Sequence, residues 1–216
     1  MIVTSIVPES IQKGMSKGRM KYAVSIDEEC MFALYKGELS RYRIREGEEL
    51  SEETFDQIMH TLLPKRAKLR CMNLLKSRNY TRRQLAEKLR EGKYPESVIE
   101  EAISYVESYG YVDDAAYAES YVEDQIGKKG LRRIEEELLR KGVDRGLIEE
   151  AVRKVQERDG AQEETALIRS LLEKKHFRPE TADLSEKRRI QAFLFRKGFT
   201  AEGIRKAMLE GYDSDA

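Results

Sequence analysis

The sequence predicts a mainly all-α protein, in which tandem three-helix repeats form a curved array after a small N-terminal segment that contains β-structure. The main observation is an element that recurs three times with its arginines and apolar residues similarly spaced: "YTRRQLAEKLREGK" (80–93), "KGLRRIEEELLRKG" (129–142) and "SEKRRIQAFLFRKG" (185–198). Composition agrees, because 37% charged and 8% aromatic residues suit an elongated helical stack with much wetted surface.

The first 63 residues carry a different pattern from the rest of the chain. "MKYAVSID" alternates apolar residues at Tyr22, Val24 and Ile26, and "ECMFALYKG" reads as a second strand that turns into a helix. "SEETFDQIMHTLL" reads as a helix that begins at Ser51. We therefore predict an N-terminal α+β cap over residues 1–63.

The three copies superimpose without a gap through the core of a unit that repeats about every 50 residues. Leu85 corresponds to Ile134 and Ile190, and the matches continue on both sides of a shared turn: Leu89, Leu138 and Leu194; Tyr94, Val143 and Phe199; Ile99, Ile148 and Ile204; Ala102, Ala151 and Ala207. The i, i+4 spacing indicates a helix, a turn and a helix. With one more helix upstream of each copy, we predict three-helix repeats over 64–110, 111–160 and 161–216.

Glycine marks the turn of each copy. Gly142 and Gly198 stand where a helix should end, at a position that favours a residue with positive φ. In the first copy, Gly92 comes one residue early and Lys93 follows it. We therefore expect a differently built turn in that copy.

Charge is segregated along the chain although the formal net charge is zero. Residues 65–91 hold 10 basic and 2 acidic residues, whereas 92–127 hold 1 basic and 9 acidic; residues 187–206 are basic again, with 7 against 1. Neighbouring helices could pair these opposite charges with each other. Alternatively, the basic helices could form a stripe that binds a polyanionic or acidic partner.

Twelve basic residues are candidates for partner contact. Three arginine pairs stand just before the apolar residues Leu85, Ile134 and Ile190, at corresponding places near a helix start, where a cation does not favour helix stability. Pairing with the preceding acidic helix is the alternative explanation. Further lysines and arginines extend the same face, although four of them also suit a helix C-terminus. The candidate residues are Arg82, Arg83, Lys128, Lys129, Arg132, Arg133, Arg140, Lys141, Arg188, Arg189, Arg196 and Lys197.

Other classes of site find little support in the sequence. His60 and His176 are isolated, Cys30 and Cys71 lack metal-ligand spacing and read as buried thiols, and no phosphate-binding glycine loop or nucleophile motif occurs. "GYVDD" (110–114) reads as structural, with Tyr111 and Val112 buried. We therefore predict no catalytic residues, no metal and no cofactor. The sequence also favours a monomeric cytoplasmic protein without a membrane segment.

The chain resembles the RecX family of bacterial regulators of the RecA recombinase. The resemblance rests on residues 77–152, and within them on "GYVDDAAYA" and the following "KKGLRRIEEELLRKG". It extends more weakly to the N-terminal pattern and to "KRRIQAFLFRKGF". The order Gly92-Lys93 departs from the family's usual basic-glycine order.

The resemblance implies a curved helical array that lodges in the groove of the RecA–DNA filament and inhibits strand exchange and ATP hydrolysis. The family is expected to have no catalytic centre of its own. Two other functions stay open from the residues alone: a module that binds single-stranded or double-stranded DNA directly, and a helical scaffold whose charges serve solubility.

Overall fold

A computed structural model describes residues 1–9, 20–159 and 164–209 of the 216-residue chain. The chain divides into two compact units, Met1–Asp113 and Asp114–Ala216. The predicted fold class is confirmed in its helical, tandem three-helix character and its small N-terminal sheet. No helix in the described ranges is both long and apolar enough to cross a bilayer.

The N-terminal unit begins with an antiparallel sheet of strand order β1-β2-β3. The strands are β1 (Val3–Pro8), β2 (Lys21–Ile26) and β3 (Glu29–Tyr35). The alternation predicted for β2 is borne out at Val24 and Ile26, which are buried. The sequence analysis did not predict β1, whose burial pattern lacks a regular alternation. Pairing with β2 therefore stabilises this strand.

Helices follow the sheet directly: α1 (Lys36–Arg41), α2 (Glu52–Gln57), a π-helical turn (Ile58–Leu62) and α3 (Leu63–Leu75). The Ser51 hydroxyl accepts a hydrogen bond from the Thr54 amide, which caps α2 as expected. Pro64 is the second residue of α3, which directly follows the π-helical turn. The helical stretch thus runs through the position at which the first domain boundary was placed, and the domain limits remain a prediction.

The first three-helix repeat consists of α3, α4 (Arg82–Arg90) and α5 (Glu96–Ser108). It shares one hydrophobic core with the sheet: Val24 and Phe32 belong to the same buried cluster as Leu85 and Ile99. Thr81 and Gln84 form the reciprocal capping box at the start of α4. The N-terminal strands therefore stabilise this repeat and do not form a separate core.

The second unit holds two further repeats, each with its own core. The helices are α6 (Asp114–Gln125), α7 (Leu131–Arg140), α8 (Arg145–Asp159), α9 (Glu164–Lys174), α10 (Leu184–Arg196) and α11 (Ala201–Leu209). Ile134 and Leu138 centre the core of the second repeat. Ile190 and Leu194 hold the equivalent places in the third. The apolar register read from the sequence is therefore the register of the cores.

All three turns have the same backbone, which corrects the expectation for the first copy. Gly142 and Gly198 both have φ of 87°, and Lys93 takes the left-handed conformation at the equivalent place with φ of 56°. In each copy the residue after this position donates its amide hydrogen to the carbonyl five residues earlier; in the first copy the Tyr94 amide donates to the Leu89 carbonyl. Hydrogen bonding and the burial of Tyr94 thus outweigh the strain of a lysine with positive φ.

Two residues expected to be buried are exposed. Cys30 lies beside the β2–β3 hairpin turn and faces solvent, whereas Cys71 is buried in α3, where burial raises the pKa of its thiol to about 11. Tyr111 is 53% exposed, and its ring lies against the Tyr109 ring, which is also exposed, with centroids 6.1 Å apart. Val112 takes the buried place alone.

Candidate functional site

The start of α7 packs directly on the turn between α10 and α11. The Gly130 amide donates a hydrogen bond to the Lys197 carbonyl oxygen at 2.9 Å. A β-carbon at Gly130 would overlap the Gly198 carbonyl, and one at Gly198 would lie 2.6 Å from the Arg133 amide nitrogen. Backbone therefore meets backbone here, and only glycine at both positions permits this approach.

This contact gathers candidate residues from the second and third repeats into one surface. The Lys197 ammonium donates a hydrogen bond to the Lys128 carbonyl oxygen at 3.3 Å, and Arg133 lies against Gly198. We call these residues the basic cluster, together with three neighbouring cations around α7; its members are Lys128, Lys129, Arg133, Arg140, Lys141 and Lys197.

Glu137 lies within the basic cluster and orients two of its cations. Its carboxylate accepts hydrogen bonds from the Lys129 ammonium (2.6 Å), the Arg133 guanidinium (2.8 Å) and the Tyr121 hydroxyl (2.6 Å). Burial acts to raise the pKa of the Glu137 carboxyl, but the hydrogen bonds and the Lys129 charge outweigh it and hold the pKa at about 2. Burial, followed by the bond to Glu137, raises the pKa of Tyr121 to about 12.

A shallow cleft of about 330 Å³ opens beside this network. It is lined by Tyr121, Lys129, Glu137, Arg140 and Lys141. The Lys141 ammonium lies 5.2 Å from the centre of the Tyr121 ring, so the aromatic face helps to fix its position. Because Glu137 is shared by two of the cations, the cleft keeps an excess of positive charge that suits a phosphate or a carboxylate.

We expect Glu137→Gln to lower the free energy of unfolding by about 2 kcal/mol at pH 7. The ionised carboxylate stabilises the fold at every pH above the ordinary glutamate pKa of 4.5, because folding lowers this pKa to about 2. The contribution is lost as pH falls between these two values, so the difference between variant and parent should shrink. Urea unfolding at pH 7 and pH 3 measures it.

Glu136→Gln is the matched control on the same helix, because Glu136 is a half-exposed partner of Arg132 and Arg133. It should change stability by only a few tenths of a kcal/mol. Equal losses for the two variants would contradict the assignment of Glu137 as the centre of the network.

The arginine pair of the first repeat makes its ion pairs within its own unit. Arg82 bonds to both Glu107 and Glu100 of α5. Arg83 pairs with Glu87 one turn along α4, at 3.1 Å. In this repeat the arginines therefore pair with acidic residues of the same and the neighbouring helix, which is the first of the two explanations for the charge pattern.

Candidates of the second repeat are partly neutralised in the same way. Arg132 is exposed and pairs with Glu136 at 3.2 Å, one turn along α7. The Arg140 guanidinium donates a hydrogen bond to the Glu136 carbonyl oxygen and is exposed at the C-terminal end of the helix. Both side chains are exposed, and the Arg132 side chain is 81% accessible.

The arginines of the third repeat stand at a different place in their helix from the one expected. Asp183 caps α10 by accepting a hydrogen bond from the Glu186 amide, so the helix begins at Leu184. Arg188 and Arg189 therefore lie in its second turn, and both are exposed. In the described part of the chain, neither has a carboxylate within ion-pair distance.

The residues four positions after each arginine explain this difference. Arg83, Arg132 and Arg133 each have a glutamate four residues later, namely Glu87, Glu136 and Glu137. At the same distance after Arg188 and Arg189 stand Ala192 and Phe193. The i, i+4 glutamate was thus the signal for the arginines that are neutralised along their own helix. Arg82 has Ala86 at that distance and is neutralised by the neighbouring helix α5 instead.

The described residues contain no group of three His, Cys, Asp or Glu side chains that could hold a metal ion. His60 lies 3.9 Å from the Asp56 carboxylate on an exposed helical face. Arg196 is exposed at the end of α10, beside Lys197.

Three family models match this chain in consecutive segments. They are described as the first, second and third three-helix domains of RecX and match residues 67–105, 113–152 and 162–208, respectively. Together these segments cover more than half of the chain.

Curated relatives are similar along most of their length. The "Regulatory protein RecX" of Caldanaerobacter subterraneus subsp. tengcongensis is 32% identical over 189 residues, which cover 87% of this chain and 92% of that protein. The protein of the same name from Listeria monocytogenes serovar 1/2a is 29% identical over 213 residues, which cover 97% of this chain and 76% of that protein.

Two solved structures share the fold. A structure titled "Crystal structure of regulatory protein RecX" has a TM-score of 0.58 at 24% identity and covers 95% of this chain and 98% of its own. The crystal structure of RecX from Lactobacillus salivarius has a TM-score of 0.55, also at 24% identity, and the match covers 68% of this chain and 96% of its own.

Proposed function

This chain belongs to the RecX family of regulatory proteins, and from that premise we propose that it binds the RecA–DNA filament and inhibits strand exchange and ATP hydrolysis. The relatives' name assigns a regulatory role. The filament as target, and inhibition as the effect, are our proposal. It includes the twelve basic candidates as the residues that contact the filament.

The observation that carries the proposal is the basic cluster. Two repeats contribute to it, and the Gly130–Lys197 hydrogen bond fixes them against each other. Because Glu137 and the Tyr121 ring hold Lys129 and Lys141 in place, less side-chain freedom is lost on binding than for free surface lysines. A preorganised set of cations of this kind suits a surface that presents regularly spaced phosphates or carboxylates.

A RecA–DNA filament presents such groups, because its DNA carries a regular series of phosphates. Lys128 and Arg140 are the members of the basic cluster best suited to reach them, since both are exposed. Binding through these cations releases counterions, so the affinity should fall steeply with salt. Arg82 is less suited as a contact, because two glutamates of its own unit already bind it.

We expect Lys128→Gln with Arg140→Gln to weaken binding to RecA filaments on single-stranded DNA and to relieve inhibition of ATP hydrolysis. The loss should be about tenfold or more at low salt, with a shallower salt dependence, because two phosphate contacts disappear. Fluorescence anisotropy with labelled single-stranded DNA, bare or coated with RecA, measures the affinity. The ATPase rate of RecA gives the functional result.

The control removes the same charge elsewhere. Arg153→Gln with Lys154→Gln changes two exposed residues of α8 that pair with Glu150, Glu157 and Glu119. It should leave both affinity and inhibition near the parent values. Equal affinity of the parent for bare and RecA-coated DNA would instead support direct nucleic-acid binding, and binding to neither would leave a scaffold whose charges serve solubility.

A further inference from the structure

One face of α10 combines exposed apolar and cationic side chains. Leu184, Arg188, Gln191 and Phe195 follow each other at i, i+4, i+7 and i+11, which places them on one side of the helix. All four are exposed; Leu184 is 75% and Phe195 53% accessible. We call these four residues the α10 face.

Packing within the repeat does not use this face. The side chains that α10 buries are Ile190 and Leu194, which project from a different side of the helix. Two large apolar groups thus remain accessible about 16 Å apart along the helix, with a cation between them. Leu184 and Phe195 do not form one contiguous apolar patch, so what marks this face is their alignment with Arg188 on one side of the helix.

The cations on and beside the face are available to a partner. Within the described ranges, Arg188 and Arg189 have no carboxylate at ion-pair distance, because Ala192 and Phe193 stand where the second repeat has Glu136 and Glu137. Arg196, exposed in the last turn of α10, adds a third positive charge on the neighbouring stripe. The surface therefore carries uncompensated positive charge between its two apolar ends.

We propose that the α10 face binds an acidic amphipathic helix of a protein partner. Such a helix would carry apolar residues at both ends of an i to i+11 stretch and carboxylates between them, so that its apolar groups cover Leu184 and Phe195 while its acids bind Arg188. The inference rests on the proposed function and deepens it, because it assigns the α10 face to a protein surface and the basic cluster to phosphates.

Leu184 distinguishes this partner from a nucleic acid. Arginines bind phosphates and carboxylates alike, and Phe195 could stack on a base. Leu184 offers neither charge nor an aromatic ring. An apolar side chain of a partner would therefore gain binding free energy by covering it, whereas a nucleotide strand would gain little. Charge and apolar pattern together thus match the regularly spaced apolar and acidic side chains on one face of an amphipathic helix.

The first test uses a synthetic helix as the probe. A labelled alanine-rich peptide of about 18 residues carries Leu, Glu, Glu and Leu at i, i+4, i+7 and i+11, and a matched peptide carries glutamines in place of the glutamates. We expect the full chain to bind the acidic peptide about tenfold or more tightly than the matched one. No binding of the acidic peptide, or equal binding of both, overturns the proposal.

Two variants then assign the binding to the face. Leu184→Ala with Phe195→Ala, and separately Arg188→Gln with Arg189→Gln, should each weaken peptide binding about tenfold, while the melting temperature stays near the parent value because all four side chains are exposed. The first variant should not change binding to a bare oligothymidine strand. Peptide binding that survives either variant, or an equal loss for the oligonucleotide, overturns the assignment.

These results are independent of the filament experiment. A chain that binds the acidic peptide through α10 but shows no preference for RecA-coated DNA keeps this inference and rejects the proposed function. A chain that inhibits RecA but does not bind the peptide keeps the proposed function and rejects this inference.

Discussion

Gly198→Ala is expected to lower the free energy of unfolding of the second unit by about 3 kcal/mol or more. Part of the loss is conformational, because φ is +87° at this position and a left-handed conformation costs an ordinary residue about 1–2 kcal/mol. The larger part is steric. A β-carbon would lie 2.6 Å from the Arg133 amide nitrogen, so the start of α7 would have to move away from the α10–α11 turn.

Gly110→Ala separates these two contributions. Gly110 also has a positive φ, of +70°, but nothing lies within 4 Å of a β-carbon built there. Its replacement should cost only the conformational part, about 1 kcal/mol. Urea unfolding followed by circular dichroism compares the variants, and hydrogen exchange of the α7 amides locates the damage. Equal losses at the two glycines would show that the close approach contributes nothing.

If the start of α7 moves away from the α10–α11 turn, filament binding should also weaken. Because Gly198 lies against Arg133 and the adjacent Lys197 bonds to Lys128, Gly198→Ala should weaken filament binding even at temperatures where the unit stays folded. The basic cluster would then lose its preorganisation and not its charge.

Leu138→Ala is expected to destabilise the second repeat by about 2–5 kcal/mol through loss of buried apolar surface and formation of a cavity. Leu138 is fully buried in the core of that repeat, beside Ile134 and Ile148. The neighbouring Leu139 is 38% exposed and lies on another side of α7. Leu139→Ala removes the same atoms and should cost well under half as much.

Thermal and urea unfolding of both leucine variants provide the measurement. If Leu139→Ala were as destabilising as Leu138→Ala, the register of the repeat read from the sequence would be wrong, and the alignment of the three cores would fail with it. Because each repeat of this unit has its own core, hydrogen exchange should show the loss mainly in α6, α7 and α8.

The candidate site could be predicted only in part from the sequence. The list of basic residues follows from composition and repetition. Which of them are neutralised by carboxylates, and which join the basic cluster, depends on neighbours that are distant in the chain. Arg82 is bound by Glu100 and Glu107, which lie on the next helix, whereas the Lys128 carbonyl oxygen accepts a bond from Lys197 of another repeat. From the repetition alone, the three arginine pairs were equivalent candidates for partner contact.

Local pattern can mislead where a residue's environment is set by packing. Tyr111 is apolar enough to be expected in the core, yet it covers Tyr109 at the surface. Lys93 adopts a conformation that glycine adopts in the other two copies, because the buried Tyr94 and its bond to Leu89 hold the turn. The left-handed conformation costs Lys93 about 1–2 kcal/mol, which the hydrogen bond to Leu89 and the burial of Tyr94 exceed.

The sequence by itself determined the helical repeat, its register and the two turns that hold Gly142 and Gly198, since these depend on the spacing of apolar residues and on glycine within about fifteen neighbouring positions. Only the tertiary structure decided that the N-terminal sheet shares the core of the first repeat, and that Gly130 and Gly198 meet. It also decided which cations are neutralised across helices. The physical reason is that burial, close backbone approach and ion pairing between helices depend on distances in space, which the order of residues along the chain does not fix.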